Sequence, residues 1–211
     1  MNLSFAQIEH FDNFLSKTHR ESYPEHPSEI HDKITKDMIE ETLKIKDLNK
    51  ESAVLDVGCG QGVALEIFKE KGLNAVGITI NQEDFDVCFR KDFCVELMDQ
   101  SFLEFPAGWF DLIWCRHCLE HSIFPYFTLW EFQRVLKKDG LLYVEVPTAD
   151  TACNHQNNQN HYSLFPYSMW KSLFARAEFE VIKFFPMNIQ TMMGPDTYWA
   201  FFMKKVSSEK F

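Results

Sequence analysis

The fold of this chain is best predicted from one segment, Val54-Leu55-Asp56-Val57-Gly58-Cys59-Gly60-Gln61-Gly62. Together with Ala53, its first four residues form a short, mainly apolar run of the kind found in strands that are buried on both faces. Glycines then occupy alternate positions, where the missing Cβ atoms let the backbone turn sharply and let a ligand approach the main chain. Residues 63–68 are helical in character. A buried strand, a glycine-rich turn and a helix together predict a ligand-binding α/β domain.

The spacing of the glycines argues against a nicotinamide dinucleotide. Its fingerprint is G-x-G-x-x-G/A, and counted from Gly58 the third small position falls on Val63. A pyrophosphate prefers a helix N-terminus and bare amides, whereas the carboxylate of Asp56 beside the turn suits a ligand that carries an ammonium group. A tight turn without any ligand is the alternative.

Strands alternate with helices along the rest of the chain. Strands are predicted at 53–57, 74–78, 94–98, 110–115, 141–147, 179–185 and 198–204, and further helices at about 82–91, 127–137 and 166–177. A turn at 138–140 and a polar loop over 148–162 separate some of them. The predicted fold is therefore α/β: a Rossmann-like, doubly wound, mostly parallel seven-stranded sheet with helices on both faces and the last strand antiparallel.

The first 45 residues differ in texture from the rest. Apolar residues recur at helical spacing over 5–15 and over 34–43, and the helix breaker Tyr23-Pro24-Glu25-His26-Pro27 lies between them. Residues 1–45 are predicted to form a helical extension or lid, and residues 46–211 the ligand-binding domain. Such an extension either covers an edge of the sheet or closes over the site and excludes water.

Composition and charge exclude several classes of protein. The chain has 211 residues, of which 45% are hydrophobic, and a formal net charge of −10. The apolar content is too high for a disordered chain, and no apolar run approaches the length that spans a bilayer. We therefore expect no membrane insertion. Because the basic residues form no stripe, we expect no nucleic acid partner either. The 21 Phe residues indicate a Phe-rich core or a pocket for an apolar substrate.

Six cysteines are present, and the N-terminus lacks the basic and apolar regions of a secretory signal. A cytoplasmic location with reduced thiols is therefore the expectation. Cys115 and Cys118, with His117 and His121 nearby, suggest a zinc site, but a structural site usually needs a second Cys-x-x-Cys pair. No metal is predicted.

The motifs, taken in order, resemble the class I S-adenosylmethionine (SAM)-dependent methyltransferases of the small-molecule branch. The resemblance covers roughly residues 50–205. It is carried by the stretch 54–62, by Phe110-Asp111-Leu112-Ile113 before His117-Cys118-Leu119-Glu120-His121, by 136–142, and by 161–165 followed by 173–181. It implies an enzyme that transfers a methyl group from SAM to an oxygen or nitrogen of a small acceptor, such as a sugar, a lipid-like molecule or a precursor metabolite. The product would be S-adenosylhomocysteine.

The same resemblance implies the cofactor-binding residues. The loop of Gly58, Cys59, Gly60, Gln61 and Gly62 would lie under the methionine part of SAM, and Asp56 would help to hold its amino group. Asp99 matches the acid that accepts a hydrogen bond from the adenine N6 amine, the amide of Gln100 would meet the adenine ring, and Cys115 would line the cofactor channel. A turn or helix-capping role is the alternative for Asp99.

One position departs from the family pattern. The family usually ends its second strand with an acid that binds both ribose hydroxyls, but Thr79 stands here, followed by Ile80. A hydroxyl cannot clamp two hydroxyls as a carboxylate does. Asn81, Gln82 or Asp84 would take over the ribose, and in this respect the sequence resembles the cyclopropane fatty acid synthase branch.

Three histidines are the candidate catalytic residues. A hydroxyl acceptor needs a base, and histidine titrates near neutral pH. His117 ranks first, His161 second and His121 third, because they follow the fourth and fifth strands at the ligand-binding edge. Capping or surface roles are the alternative for each of them.

Other functions stay open at this point. A protein or RNA methyltransferase is one, although Cys115-Arg116-His117-Cys118 stands where enzymes that methylate the amino groups of bases carry Asn/Asp-Pro-Pro-Tyr. A non-catalytic SAM-binding or scaffold protein is another, and a nicotinamide oxidoreductase is the weakest. The sequence leaves the oligomeric state open.

Overall fold

Seven strands form a single sheet in the computed structural model, which describes residues 2–24 and 28–206. In chain order they are β1 (Ala53–Val57), β2 (Asn74–Thr79), β3 (Val95–Leu97), β4 (Phe110–Arg116), β5 (Leu136–Pro147), β6 (Phe179–Thr191) and β7 (Gly194–Lys205). Their order across the sheet is β3-β2-β1-β4-β5-β7-β6. The first five are parallel, and β7 is antiparallel to both β5 and β6. The predicted fold class is thus confirmed.

Helices cover both faces of this sheet. They are α1 (Phe5–Arg20), α2 (Glu29–Ile45), α3 (Val63–Glu70), α4 (Gln82–Arg90), α5 (Pro125–Val135) and α6 (Tyr167–Arg176). On one face, α5 and α6 bury residues such as Phe132 and Trp170 against Leu55 and Ile113. On the other, α2 and α3 pack against the side chains that point the opposite way, among them Val54, Trp114 and Tyr143. Alternate residues of the central strands therefore belong to two different cores.

The two N-terminal helices are attached in different ways. In α2, Thr35, Met38, Ile39 and Thr42 are buried, and Met38 and Ile39 belong to the core on that face. In α1, all of whose residues are described, none is buried. Helix α1 begins at a capping box formed by Ser4 and Gln7, which satisfies backbone amides at its first turn. The helices are thus as predicted, although residues 25–27 of the predicted breaker lie outside the described residues.

The start of β5 differs from the prediction. Helix α5 ends at Val135, and β5 begins at Leu136, which pairs with Phe110 of β4. The pairing then shifts, so that Leu112 pairs with Leu141 and the predicted turn at 138–140 becomes a bulge inside the strand. Lys137 Nζ lies 2.7 Å from Asp111 Oδ2 and ties the bulge to β4. A long-range pairing and an ion pair, neither of which is a local signal, therefore override the turn residues.

The last two strands are longer than predicted. They continue to Thr191 and from Gly194, and form a hairpin around the exposed residues Met192 and Met193. Alternate residues of β6 are exposed because β6 is an edge strand, and Pro186 is tolerated there.

Candidate active site

The glycine-rich turn has the strained backbone that its sequence predicts. Gly58, Gly60 and Gly62 all have positive φ, at 69°, 49° and 89°. A Cβ atom on Gly58 would lie 2.5 Å from Cys118 Sγ, so that position also needs glycine for space. The amides of Gly58 and Cys59 both donate to the carbonyl of Ile78. The turn is thereby held against the end of β2, next to β1.

A cavity of about 340 Å³ opens at the carboxyl ends of the parallel strands. Its lining contains residues at or just after the ends of the first five strands, namely Gly58, Ile80, Met98, His117 and Pro147. Its size lies within the range of small-molecule sites, and its position is where doubly wound sheets bind their ligands. The cavity is therefore the candidate active site.

A smaller cavity of about 70 Å³ lies on the other side of the glycine-rich turn. Gly58, Gly60 and His31 line both cavities. Asp32, Asp56 and Arg116 are all among the residues that line the smaller one. Groups of both charges thus face this smaller space, which suits a ligand that carries an ammonium and a carboxylate.

The predicted cofactor residues divide between the two cavities. Seven of them line the larger cavity: Gly58, Gly60, Thr79, Ile80, Asp84, Asp99 and Gln100. Asp56, Cys59 and Gln61 line the smaller one, as do Gly58 and Gly60. The described linings of the two cavities include neither Gly62 nor Cys115. Gly62 instead begins α3, and a Cβ atom there would lie 2.8 Å from the ring of Phe93.

Cys115 does not lie where the sequence placed it. Its side chain is fully buried in the core beneath α5, because β4 directs alternate residues to opposite faces of the sheet. Cys118 lies in the wall of the larger cavity instead. The side chain of Cys115 is therefore in neither described cavity lining, and a role for its main-chain carbonyl beside the cofactor stays a prediction.

Asp99 lies just after β3 and receives two hydrogen bonds. The amide of Ser101 donates to Oδ1 at 2.7 Å, and Nε2 of His19 lies 2.8 Å from Oδ2. Burial raises the pKa of this carboxyl, but the bonds from His19 and Ser101 outweigh that effect, and the net pKa is lowered. Asp99 is thus an ionised acceptor, and a carboxylate has lone pairs left for a further donor.

The end of β2, where the family usually has an acid, carries Thr79 and leads into α4. Thr79 Oγ1 accepts from the amide of Asn81, whose own side chain caps α4 by accepting from the amides of Glu83 and Asp84. The carboxylate in this wall of the cavity is that of Asp84, in the first turn of α4. Of the three predicted substitutes, Asn81 and Asp84 line the cavity, Gln82 is not in its described lining, and only Asp84 has a carboxylate.

His117, the histidine ranked first, is tightly held. It has a φ of 50°, and its Nε2 lies 2.8 Å from Glu145 Oε1, which also lies 2.9 Å from Arg116 Nε. The ring stacks on Tyr198 with centroids 4.4 Å apart. Burial and the charge of Arg116 lower the pKa of His117 to about 3. It is a cavity-lining neutral imidazole, and at neutral pH a weak base.

His121 and His161 lie together in the lining of the same cavity. Their rings meet edge to face at 4.8 Å between centroids, and His121 Nδ1 donates to the carbonyl of Asn160 at 2.9 Å. Burial lowers the pKa of His121, and burial with the neighbouring His121 and His155 lowers that of His161 to about 4. Between His117 and His121 the chain forms a 3₁₀ turn over Leu119–His121, so these two histidines do not lie on one face of an α-helix.

The structure adds residues that sequence reasoning did not assign to the site. His155, from the polar loop, lines the cavity and lies 2.9 Å from Asp196 Oδ2 on β7. His31, from α2, lies 3.0 Å from Arg116 Nη2 and 5.2 Å, ring to ring, from His117. His19 comes from α1. None of these three histidines lies in a local sequence motif. The sequence signal that could have pointed to them is the number of histidines, 8 in this chain.

A family profile described as a methyltransferase domain matches residues 30–183, well over half of the chain. The chain belongs to the class I SAM-dependent methyltransferases. The match begins within α2 and ends within β6. It therefore contains the glycine-rich turn, Asp99 and the cluster of cavity-lining histidines formed by His117, His121, His155 and His161.

Curated relatives align with this methyltransferase over part of its sequence. It is 32% identical over 101 residues to ubiquinone biosynthesis O-methyltransferase of Actinobacillus pleuropneumoniae serotype 7, covering 43% of each chain. It is 35% identical over 103 residues to 2-methyl-6-phytyl-1,4-hydroquinone methyltransferase of Synechocystis sp., covering 44% of this chain and 31% of the relative. The alignments thus span less than half of these relatives.

Solved structures confirm the fold of the methyltransferase. The YcgJ protein of Bacillus subtilis superposes with a TM-score of 0.68 at 19% identity, covering 81% of this chain and 98% of that one.

Among the described residues, no helix combines the length and apolar character that crossing a membrane requires.

Proposed function

We propose that this methyltransferase transfers the methyl group of SAM to a hydroxyl oxygen of a small-molecule acceptor and releases S-adenosylhomocysteine. The observation that carries the proposal is that one cavity joins the glycine-rich turn and Asp99 to a cluster of histidines. A relative named as an O-methyltransferase favours oxygen over nitrogen as the acceptor atom.

The residues present fit SAM. Gly58 leaves no room for a side chain, which suits a turn that a ligand must approach closely. Asp99 accepts from the adenine N6 amine, the amide of Gln100 contacts the adenine ring, and Asp84 with Thr79 binds the ribose. The methionine end lies along the glycine-rich turn toward the smaller cavity, where Asp56 binds the ammonium and Arg116 the carboxylate.

Bound SAM supplies a methyl group that is already activated as a sulfonium, so the protein chiefly has to position the acceptor and receive its proton. The acceptor lies in the half of the cavity that is walled by histidines and by apolar side chains such as Leu15, Ile123 and Phe124. These walls suit an acceptor with an apolar body, and the polar side chains orient its hydroxyl.

The predicted catalytic histidines take different parts in this proposal. All three line the cavity. Because its pKa is about 3, His117 serves to orient the acceptor rather than to hold its proton at neutral pH. His121 and His161 lie where the hydroxyl would enter, close to Glu120.

Two measurements test the proposed function. Calorimetry of the whole chain should show binding of SAM and S-adenosylhomocysteine and none of NAD. A panel of phenols, sugars and matched amines, read by mass spectrometry, should then show a gain of one methyl group on hydroxyl compounds. Transfer to amines alone would overturn the choice of oxygen, and NAD binding in place of SAM would overturn the cofactor.

A further inference from the structure

Glu120, His121 and His161 form a compact group of metal-binding atoms at the edge of the cavity. One carboxylate oxygen and one ring nitrogen from each histidine lie within 4.8 Å of one another, and all three residues line the cavity. Two ligands of a zinc-sized cation, each about 2.1 Å from it, lie at most about 4 Å apart. Side-chain movements of about 1 Å would therefore bring these three atoms around a single cation.

The two histidines of this group are already oriented by neighbouring groups. Because the carbonyl of Asn160 accepts from His121 Nδ1 at 2.9 Å, the lone pair of a neutral His121 lies on Nε2. A backbone carbonyl that orients a histidine in this way is a regular companion of metal-binding imidazoles. The ring of His161 lies flat against that of His155, at 5.7 Å and 21°, and His155 is itself held by Asp196. Both ligand rings are thereby fixed in place.

We propose that Glu120, His121 and His161 bind a divalent transition-metal cation such as Zn²⁺, and that this cation binds the hydroxyl oxygen of the methyl acceptor. Two imidazoles and one carboxylate are a ligand set that leaves coordination positions open for a substrate. Those positions face the cavity. The second part of this inference rests on the proposed function, because it needs a hydroxyl acceptor.

The cation would supply what the histidines alone do not. As a Lewis acid it lowers the pKa of the hydroxyl it binds, so the proton leaves to water at neutral pH. The oxygen then forms a bond to the methyl carbon while the bond from that carbon to sulfur breaks and leaves its electron pair on sulfur. The products are the methyl ether, neutral S-adenosylhomocysteine and one proton in solvent.

A second group, Cys153, His155 and Asp196, is a weaker candidate. His155 Nε2 already lies 2.9 and 3.1 Å from the two carboxylate oxygens of Asp196, so these ligand atoms are joined to each other. Cys153 Sγ lies 3.4 Å from Thr191 Oγ1, and neither Cys153 nor Asp196 belongs to the described lining of the cavity. A cation there would not reach the acceptor.

Metal binding can be measured without any methyl transfer. The chelator-treated full chain is titrated with Zn²⁺ by calorimetry and with Co²⁺ by absorbance, whose visible bands report nitrogen ligation. One equivalent should bind, and Glu120→Gln and His161→Gln should each weaken Zn²⁺ binding by roughly tenfold or more. His10→Gln, at an exposed position on α1, is the matched control and should bind as the wild type does. Unchanged affinity for S-adenosylhomocysteine shows that each variant is folded.

Three results would overturn the inference: no stoichiometric Zn²⁺ binding, binding that survives both ligand variants, or binding that is lost in Asp196→Asn but kept in Glu120→Gln. Failure of this inference and failure of the proposed function can be told apart. Methyl transfer to a hydroxyl that persists in chelator without Zn²⁺ would contradict the metal site and support the proposed function. Zn²⁺ binding at this site without transfer to any hydroxyl would support the metal site and contradict its role in methyl transfer.

Discussion

Asp99 concentrates the chemistry of the cofactor site in one carboxylate. It receives hydrogen bonds from Ser101 on its own loop and from His19 on α1, so it is held ionised and oriented. Since hydrogen bonds to a charged group are worth about 1.5–3 kcal/mol, Asp99 should dominate the recognition of the adenine amine.

Asp99→Asn should therefore weaken SAM binding by roughly tenfold to a hundredfold, which corresponds to that range of free energy. Calorimetry measures it, and Glu96→Gln, at an exposed position on β3, is the control that should bind normally. Equal affinity of the two variants would mean that the adenine lies elsewhere.

A substitution at Gly60 tests whether the glycine-rich turn contacts the cofactor. Gly60→Leu places a side chain at the cavity wall in a backbone with φ of 49°, and it should lower the affinity for SAM at least roughly tenfold by occupying the ligand's space. The matched control is Gly72→Leu, where φ is 72° and nothing lies within 4 Å of an added Cβ atom. Both variants should lose about 1–2 kcal/mol of folding free energy through left-handed strain. If SAM still binds Gly60→Leu as it binds the control, the turn has no contact with the cofactor.

At the scale of elements, α1 stands apart from the rest of the fold. None of its residues, all of them described, is buried, and its C-terminal end meets the cavity rim through His19 and Asp99, Ser22 and Asn81, and the carbonyl of Glu21 and Asn160. An element without a buried residue opens more easily than one packed into a core. The lid role of the N-terminal residues stays a prediction, and it requires a helix that can open in this way.

His19→Ala should raise the rate of amide hydrogen exchange over residues 5–20 while leaving that of α2 unchanged, because α2 is anchored in the core by Met38 and Ile39. His10→Ala, on the same helix, should change neither. Exchange of α1 that is indifferent to His19 would show that other contacts, such as the packing of Phe11 on Phe102 and Phe124, hold the helix down.

Local signals predicted the central elements and missed the contacts between distant ones. The run from Ala53 to Gly62 specifies its own strand and turn, because burial on two faces and the need for glycine are readable residue by residue. The partners of Asp99, Arg116 and Asp196 lie 80, 85 and 41 residues away in the sequence. The extended start of β5 likewise depends on a pairing with β4.

At the scale of the whole molecule, buried titratable groups make the fold sensitive to acid. Burial and Arg116 lower the pKa of His117 from 6.5 to about 3, whereas for Glu145 the charge of Arg116 and the contacts with His117 and Tyr143 outweigh burial and lower it from 4.5 to about 2. In both cases the unfolded chain binds protons more readily than the folded one. Stability therefore falls as the pH drops below about 6.5, with Glu145 adding to the loss below about 4.5.

Between pH 7 and pH 5 the titration of His117 alone should cost the fold about 2 kcal/mol. Urea unfolding at each pH measures this loss, and His117→Asn, which tolerates the left-handed backbone, should be less stable at pH 7 but show a shallower decline. An equal slope in the variant would mean that other groups cause the acid sensitivity.

A co-crystal structure with S-adenosylhomocysteine would show whether the cofactor binds in the cavity beside the glycine-rich turn. We predict that density for the adenine lies beside Asp99, that the sulfur lies between the glycine-rich turn and the histidines, and that the homocysteine end reaches toward Asp56 and Arg116. A nucleoside bound away from the turn, or side chains that fill the cavity when the ligand is present at saturation, would contradict the account.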